Sequence, residues 1–121
     1  MDTRSKILTP DAARRLTPPL TVATGYFEIL RAELVRELCE ARERAAGSAL
    51  AAVVLPLANA ALDQRARAEL AAGLRMVDYV VIADDGDPGA LIDSLKPAAL
   101  ARLEEAEARR ARELKEHVRS R

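Results

Sequence analysis

The stretch Leu20-Thr21-Val22-Ala23-Thr24-Gly25-Tyr26-Phe27-Glu28-Ile29-Leu30-Arg31-Ala32-Glu33-Leu34-Val35 decides the architecture. Its first five residues form a short β-branched run that reads as a strand, and Gly25 closes it. From Phe27 to about Ala46 the period is helical. Leu30, Leu34, Leu38, Ala41 and Ala45 share one face, while Arg31, Glu33, Arg36, Glu37, Glu40, Glu43 and Arg44 mostly face solvent.

Downstream the alternation continues. Gly47-Ser48 stops the helix, and Ala49 to Leu57 is an unbroken apolar run, as in a parallel strand covered on both faces. Pro56 and Asn59 belong to a loop, and Asp63 to Leu74 is a second amphipathic helix with Ala66, Leu70 and Leu74 inward. Val77 to Ile82 is a third strand. Asp84-Asp85-Gly86-Asp87-Pro88 is a turn into a third helix, with Asp87 as N-cap, Pro88 at the first position and Lys96-Pro97 at the end. Ala98 to about Val118 reads as one charged helix with Glu and Arg interleaved. Upstream, residues 1–19 are a polar leader in which Thr9-Pro10-Asp11 starts a short helical turn.

Helices between successive strands favour right-handed crossovers and a parallel sheet. The expected fold is therefore α/β: a three-layer half-Rossmann with a short, three-stranded parallel sheet and a charged C-terminal helix. The expected divisions are a leader over 1–19, an α/β core over 20–97 and a terminal helix over 98–121.

Composition narrows the function classes. The 121 residues carry 19 Lys+Arg against 19 Asp+Glu, so the usual electrostatic footprint of a nucleic-acid binder is missing. Half the residues are hydrophobic, but 25 are alanine and only 2% are aromatic, which predicts a thin core of small side chains. Sixteen arginines against three lysines, with the alanine excess, suggest a high-GC bacterial genome by association. No apolar run approaches the ~20 residues of a membrane helix. Met1 to Pro10 is polar and charged, unlike a signal peptide, and the single Cys39 has no disulfide partner in the chain. A cytoplasmic protein with neither nucleic acid nor membrane as partner is expected.

Ligands of open parallel sheets bind beyond the carboxyl ends of the strands, which here means the loops Thr24 to Glu28, Pro56 to Asp63 and Ala83 to Pro88. The segment from Gly25 to Val35 resembles the G-x-F-D-x-L-H-x-G-H signature of the cytidylyltransferase-like nucleotidyltransferases. Gly25, Phe27, Ile29, Leu30 and Val35 fit it, and Glu28 stands in for the Asp. Lys6-Ile7-Leu8-Thr9, Arg67 to Leu70 with Val77 to Val81, and Asp87-Pro88 with Leu91-Ile92 and Lys96-Pro97 resemble further stretches of the heptose-1-phosphate adenylyltransferase and glycerol-3-phosphate cytidylyltransferase branch, in the same order.

The resemblance implies a nucleotide loop at Thr24, Gly25, Tyr26, Phe27 and Arg31. It also exposes what has changed. Where relatives carry two histidines that donate to phosphate, this chain has Arg31 and Leu34; where they carry the intervening glycine, it has Glu33. The loop before Arg67 is too short for the family's lysine-bearing segment, and the later I-S-S/T-T segment is replaced by the charged helix. The expected active site is erased: no catalytic residue and no metal ligand is assigned.

Plainer readings account for the other conspicuous residues. Arg31 suits a solvated helix face near Glu28 or Glu33. Asp84, Asp85 and Asp87 suit a helix-capping turn better than a cation site. Asp78 is read as structural, Cys39 as a small buried or boundary residue, and His117 as a surface residue without a partner ligand. Three functions remain in view. The first is a degenerate nucleotidyltransferase-like domain serving as a nucleotide-binding, regulatory or scaffold module, without cofactor. The second is an atypical active enzyme moving a nucleotidyl group from CTP or ATP to a sugar phosphate with Mg²⁺, releasing pyrophosphate. The third is an oligomerisation module. A nucleotide is a possible ligand, and a homodimer or protein partner is expected through the C-terminal helix.

Overall fold

A computed structural model describes residues 2–45, 47–84 and 88–119, with side chains described as far as residue 114. After a 3₁₀ turn over Thr3–Lys6, the chain forms β1 (Ile7–Leu8), α1 (Pro10–Arg14), β2 (Leu20–Gly25), α2 (Ala32–Arg44) and β3 (Ala49–Val54). It continues through α3 (Gln64–Ala72), β4 (Tyr79–Ile82), α4 (Pro88–Leu95), β5 (Ala99–Arg102) and α5 (Glu104–Arg119). The strands make one sheet in the order β1-β4-β3-β2-β5, and every pairing is parallel. This is a three-layer, Rossmann-like α/β fold.

Strand alternation sends side chains to two cores. Ala23, Leu50, Ala52, Val54 and Val80 pack with Leu34 and Leu38 of α2 and with Ala68, Ala71 and Ala72 of α3. Leu20, Val22, Val53 and Val81 pack on the other face with Ala13 of α1 and with Leu91 and Leu95 of α4. The small side chains expected from composition let helices approach the sheet closely, with Phe27 the only aromatic in either core. Asp78 is structural, as read: its Oδ2 accepts from Leu50 N–H at 2.8 Å, and Arg42 pairs with it at 3.4 Å. Cys39 is half-buried and free.

Three sequence expectations need correction. The sheet has five strands rather than three, because both flanking segments contribute one. Ile7 and Leu8 pair with Val80 and Val81, a strand too short to leave an alternating pattern. Ala99–Arg102 pairs with Thr21–Thr24, so the expected helix from Ala98 starts only at Glu104. Ala and Leu are strong helix formers, and here tertiary pairing overrides that propensity. The third correction concerns α2, which begins at Ala32 rather than Phe27. Phe27 has φ 54°, outside the right-handed helical region, and residues 27–31 form a loop.

Asp85 and Asp87, including the expected N-cap at Asp87, lie outside the described residues, as do the side chains of His117 and Val118. Among the described residues no three His, Cys, Asp or Glu side chains cluster as a metal site, and no helix is long and apolar enough to cross a membrane.

Candidate functional site

The strand order locates the site. From β2 the chain steps outward to β3 and β4 with its helices on one face, then returns through α4 on the other face to place β5 on the far side of β2. That reversal between β2 and β5 is the topological switch point, where such sheets open a crevice at the carboxyl ends of their strands. Gly25 ends β2 there and Arg102 ends β5.

A cleft of about 450 Å³ lies beside this point. Its floor is the loop after β2 (Tyr26, Glu28, Ile29, Arg31), its far wall is Leu57 to Asn59 beyond β3, and its roof is the first half of α5. Arg31, placed by sequence on a solvated helix face, is the N-cap residue of α2 and lines this cleft. Leu34 lines it too. Ile29 is 54% exposed. Thr24 and Phe27 are buried at the strand end, and Tyr26 is half-buried. The structure thus brings Thr24, Gly25, Tyr26, Phe27 and Arg31 to one end of one strand.

What fills the loop comes from elsewhere in the chain. Tyr26 N–H donates to Glu107 Oε1 at 2.8 Å and Phe27 N–H to Glu107 Oε2 at 3.0 Å, so one carboxylate spans two consecutive amides. Thr24 Oγ1 donates to Glu104 Oε2 at 2.7 Å, one turn earlier on α5. Gly25 makes the approach possible: a Cβ there meets Glu107 Oε1 at 2.6 Å, well inside contact distance. Burial pushes the Glu107 carboxyl above its ordinary 4.5; the two amide bonds and Arg110 pull the other way, and Glu104 adds to the rise. Arg110 in turn bonds to Glu37 of α2, and that bond raises its already high pKa.

A second layer holds the loops in place. Arg67, 2% exposed, donates through Nη1 to Tyr26 O at 2.9 Å and Leu55 O at 2.8 Å, and through Nε to Leu62 O at 3.3 Å. It ties the loops after β2 and β3 together, a use for a buried guanidinium that satisfies its donors with carbonyls. Gln64 Nε2 bonds to Val54 O and Ala83 O, joining the ends of β3 and β4. Glu28 accepts from Ala61 N–H and so anchors the loop after β3. The left-handed conformation of Phe27 costs about 1–3 kcal/mol. Its fully buried ring and the Glu107 bond offset that strain.

Glu104, Glu107 and Arg110 escaped the reading of the sequence because α5 looked uniformly solvated. The available signal was the spacing Glu104, Glu107, Ala108, Ala111, which puts two acids and two small residues on one helical face.

The chain matches no protein-family model and no curated protein. Among solved structures it is similar to the crystal structure of the lipopolysaccharide core biosynthesis protein from Thermoplasma volcanium GSS1. The TM-score is 0.61 and the identity 25%, over 68% of this chain and 71% of that one.

Proposed function

We propose that this chain is a nucleotidyltransferase-like domain that no longer transfers nucleotides and serves as a binding, regulatory or scaffold module. One observation carries the reading: the amide pair at the end of β2, suited to hold an anionic group, is bonded to the chain's own Glu107. A nucleotide phosphate in that place meets the Glu107 carboxylate, with Glu104 in the same first turn of α5. Leu34 offers no donor toward the cleft it lines, and Arg31 is the single side-chain donor at the two positions where the resemblance implies histidines. Electrostatic stabilisation of a phosphoryl group requires the opposite arrangement, donors and positive charge aimed at developing negative charge. The likeness to a lipopolysaccharide core biosynthesis protein agrees with the family resemblance in the sequence and supports descent from that fold group.

The test is a pyrophosphate-release assay on the full chain with CTP or ATP, Mg²⁺ and a panel of sugar phosphates. No release above the protein-free control is the expected result. Sustained turnover with any acceptor overturns the reading in favour of an atypical active nucleotidyltransferase.

A further inference from the structure

Helix α5 meets the body of the protein in an unusual way. None of its described side chains, from Glu104 to Leu114, is buried, and Leu114 is 48% exposed. What holds the helix is polar: Glu104 on the Thr24 hydroxyl, Glu107 on the Tyr26 and Phe27 amides, and Arg110 on Glu37. An element with few buried apolar contacts opens at low free-energy cost. The groups beneath it form a ready anion site. Two consecutive N–H donors converge on one point, a hydroxyl lies beside them, and Gly25 leaves the approach free of a side chain. Oriented backbone amides of this kind make anion-binding concavities of the sort that hold phosphate. Arg31 and Arg112 line the same cleft and bring positive charge to its edge.

We infer that the first turn of α5 is an internal plug: Glu107 sits as a resident anion on a phosphate-accepting loop, and a phosphate-bearing ligand binds only when α5 lifts and Glu107 leaves. The inference rests on the proposed kinship for the class of ligand and on the Glu107 geometry for the mechanism. It differs from loss of binding, because the loop beneath the plug is intact. Ligand and α5 docking are then mutually exclusive, and each reports on the other through linkage.

Inorganic pyrophosphate is the probe, titrated calorimetrically in phosphate-free buffer into the intact chain and into Glu107→Ser, Glu107→Gln and Glu105→Ser. Removing the carboxylate is expected to raise pyrophosphate affinity about tenfold or more, the scale of charge-assisted hydrogen bonds regained by the ligand. Glu105 is exposed, and its variant should match the intact chain. Amide exchange at Tyr26 and Phe27 should quicken in Glu107→Ser and slow again when pyrophosphate is added. Glu107→Gln keeps the size of the side chain and one acceptor, so it supplies the same comparison if the serine variant does not fold. Equal affinities for the intact chain and a folded Glu107 variant overturn the plug, as does an equal gain in Glu105→Ser, which makes net charge the cause. Neither outcome bears on catalysis, since pyrophosphate release by the intact chain is measured separately.

Discussion

Helix α2 places Leu34, Leu38 and Ala41 in the core, each at most 1% exposed, whereas α5 buries none of its described side chains and is held by Glu104, Glu107 and Arg110. Both helices border the same cleft. One is therefore fixed by removal of apolar surface from water, which neither salt nor pH changes much near neutrality. The other is fixed by charged groups, whose contribution depends on both. One wall of the cleft rests on apolar burial and its roof on polar and charged contacts.

The sharpest way to separate the two is to damage each anchor in turn. Leu38 is fully buried against the sheet, and Leu38→Ala is expected to destabilise the chain by about 3 kcal/mol, from lost transfer energy plus the cavity left behind. Urea denaturation monitored by circular dichroism measures it. The loss should be the same at low and high salt. A loss below about 1 kcal/mol would mean that α2 is no better anchored than α5 and would dissolve the contrast.

The same contrast explains which parts of the molecule were legible from sequence. The run from Leu20 to Leu38 announces strand, glycine turn and amphipathic helix because neighbours along the chain determine those features, and apolar periodicity records burial. The apolar strands β3 and β4 are legible for the same reason. Glu107 is not, since its partners Tyr26 and Phe27 lie about eighty residues away and a glutamate on a charged helix has no local mark of its role. Phe27 to Arg31 failed as a helical start on the same account: the amides of Tyr26 and Phe27 are engaged by a carboxylate that no local pattern reveals. Arg67 stood out only through family resemblance, because a buried arginine bonded to three carbonyls looks in sequence like any solvated one. Apolar contacts are written into periodicity. Polar ones across the sheet end are not.

Acidity tests the roof next. Desolvation raises the Glu107 carboxyl above its ordinary 4.5, with Glu104 reinforcing the rise and Arg110 and the two amides opposing it; Glu33 and Glu37 on α2 face Arg110 from across the cleft. The folded protein therefore holds a proton on this group at a pH where the unfolded chain has released it. The stability this group contributes is complete below about 4.5 and falls as the pH rises through the raised value. In a Glu107→Gln variant this dependence vanishes. The difference in melting temperature, wild type minus Glu107→Gln, is expected to become more favourable to wild type on going from about pH 7 toward pH 4.5. A flat difference would mean that Glu107 is not desolvated in solution as it is in the docked helix.

The smallest effect belongs to the outer clamp. Arg110 and Glu37 are partly exposed, with side chains 20% and 30% accessible, so their attraction is weakened by solvent and by salt. Arg110→Ala should lower stability by no more than about 0.5–1 kcal/mol, and the loss should fade as ionic strength rises toward about 1 M. Its more telling consequence is at the roof. Arg110 favours the charged form of Glu107, so removing it should push the Glu107 carboxyl further up and shift the acid-dependent difference to higher pH. If Arg110→Ala leaves that profile in place, the clamp and the plug are independent contacts. If the profile moves while the fold holds, α5 docks as one electrostatic unit, which is what an element without buried side chains needs in order to lift as one.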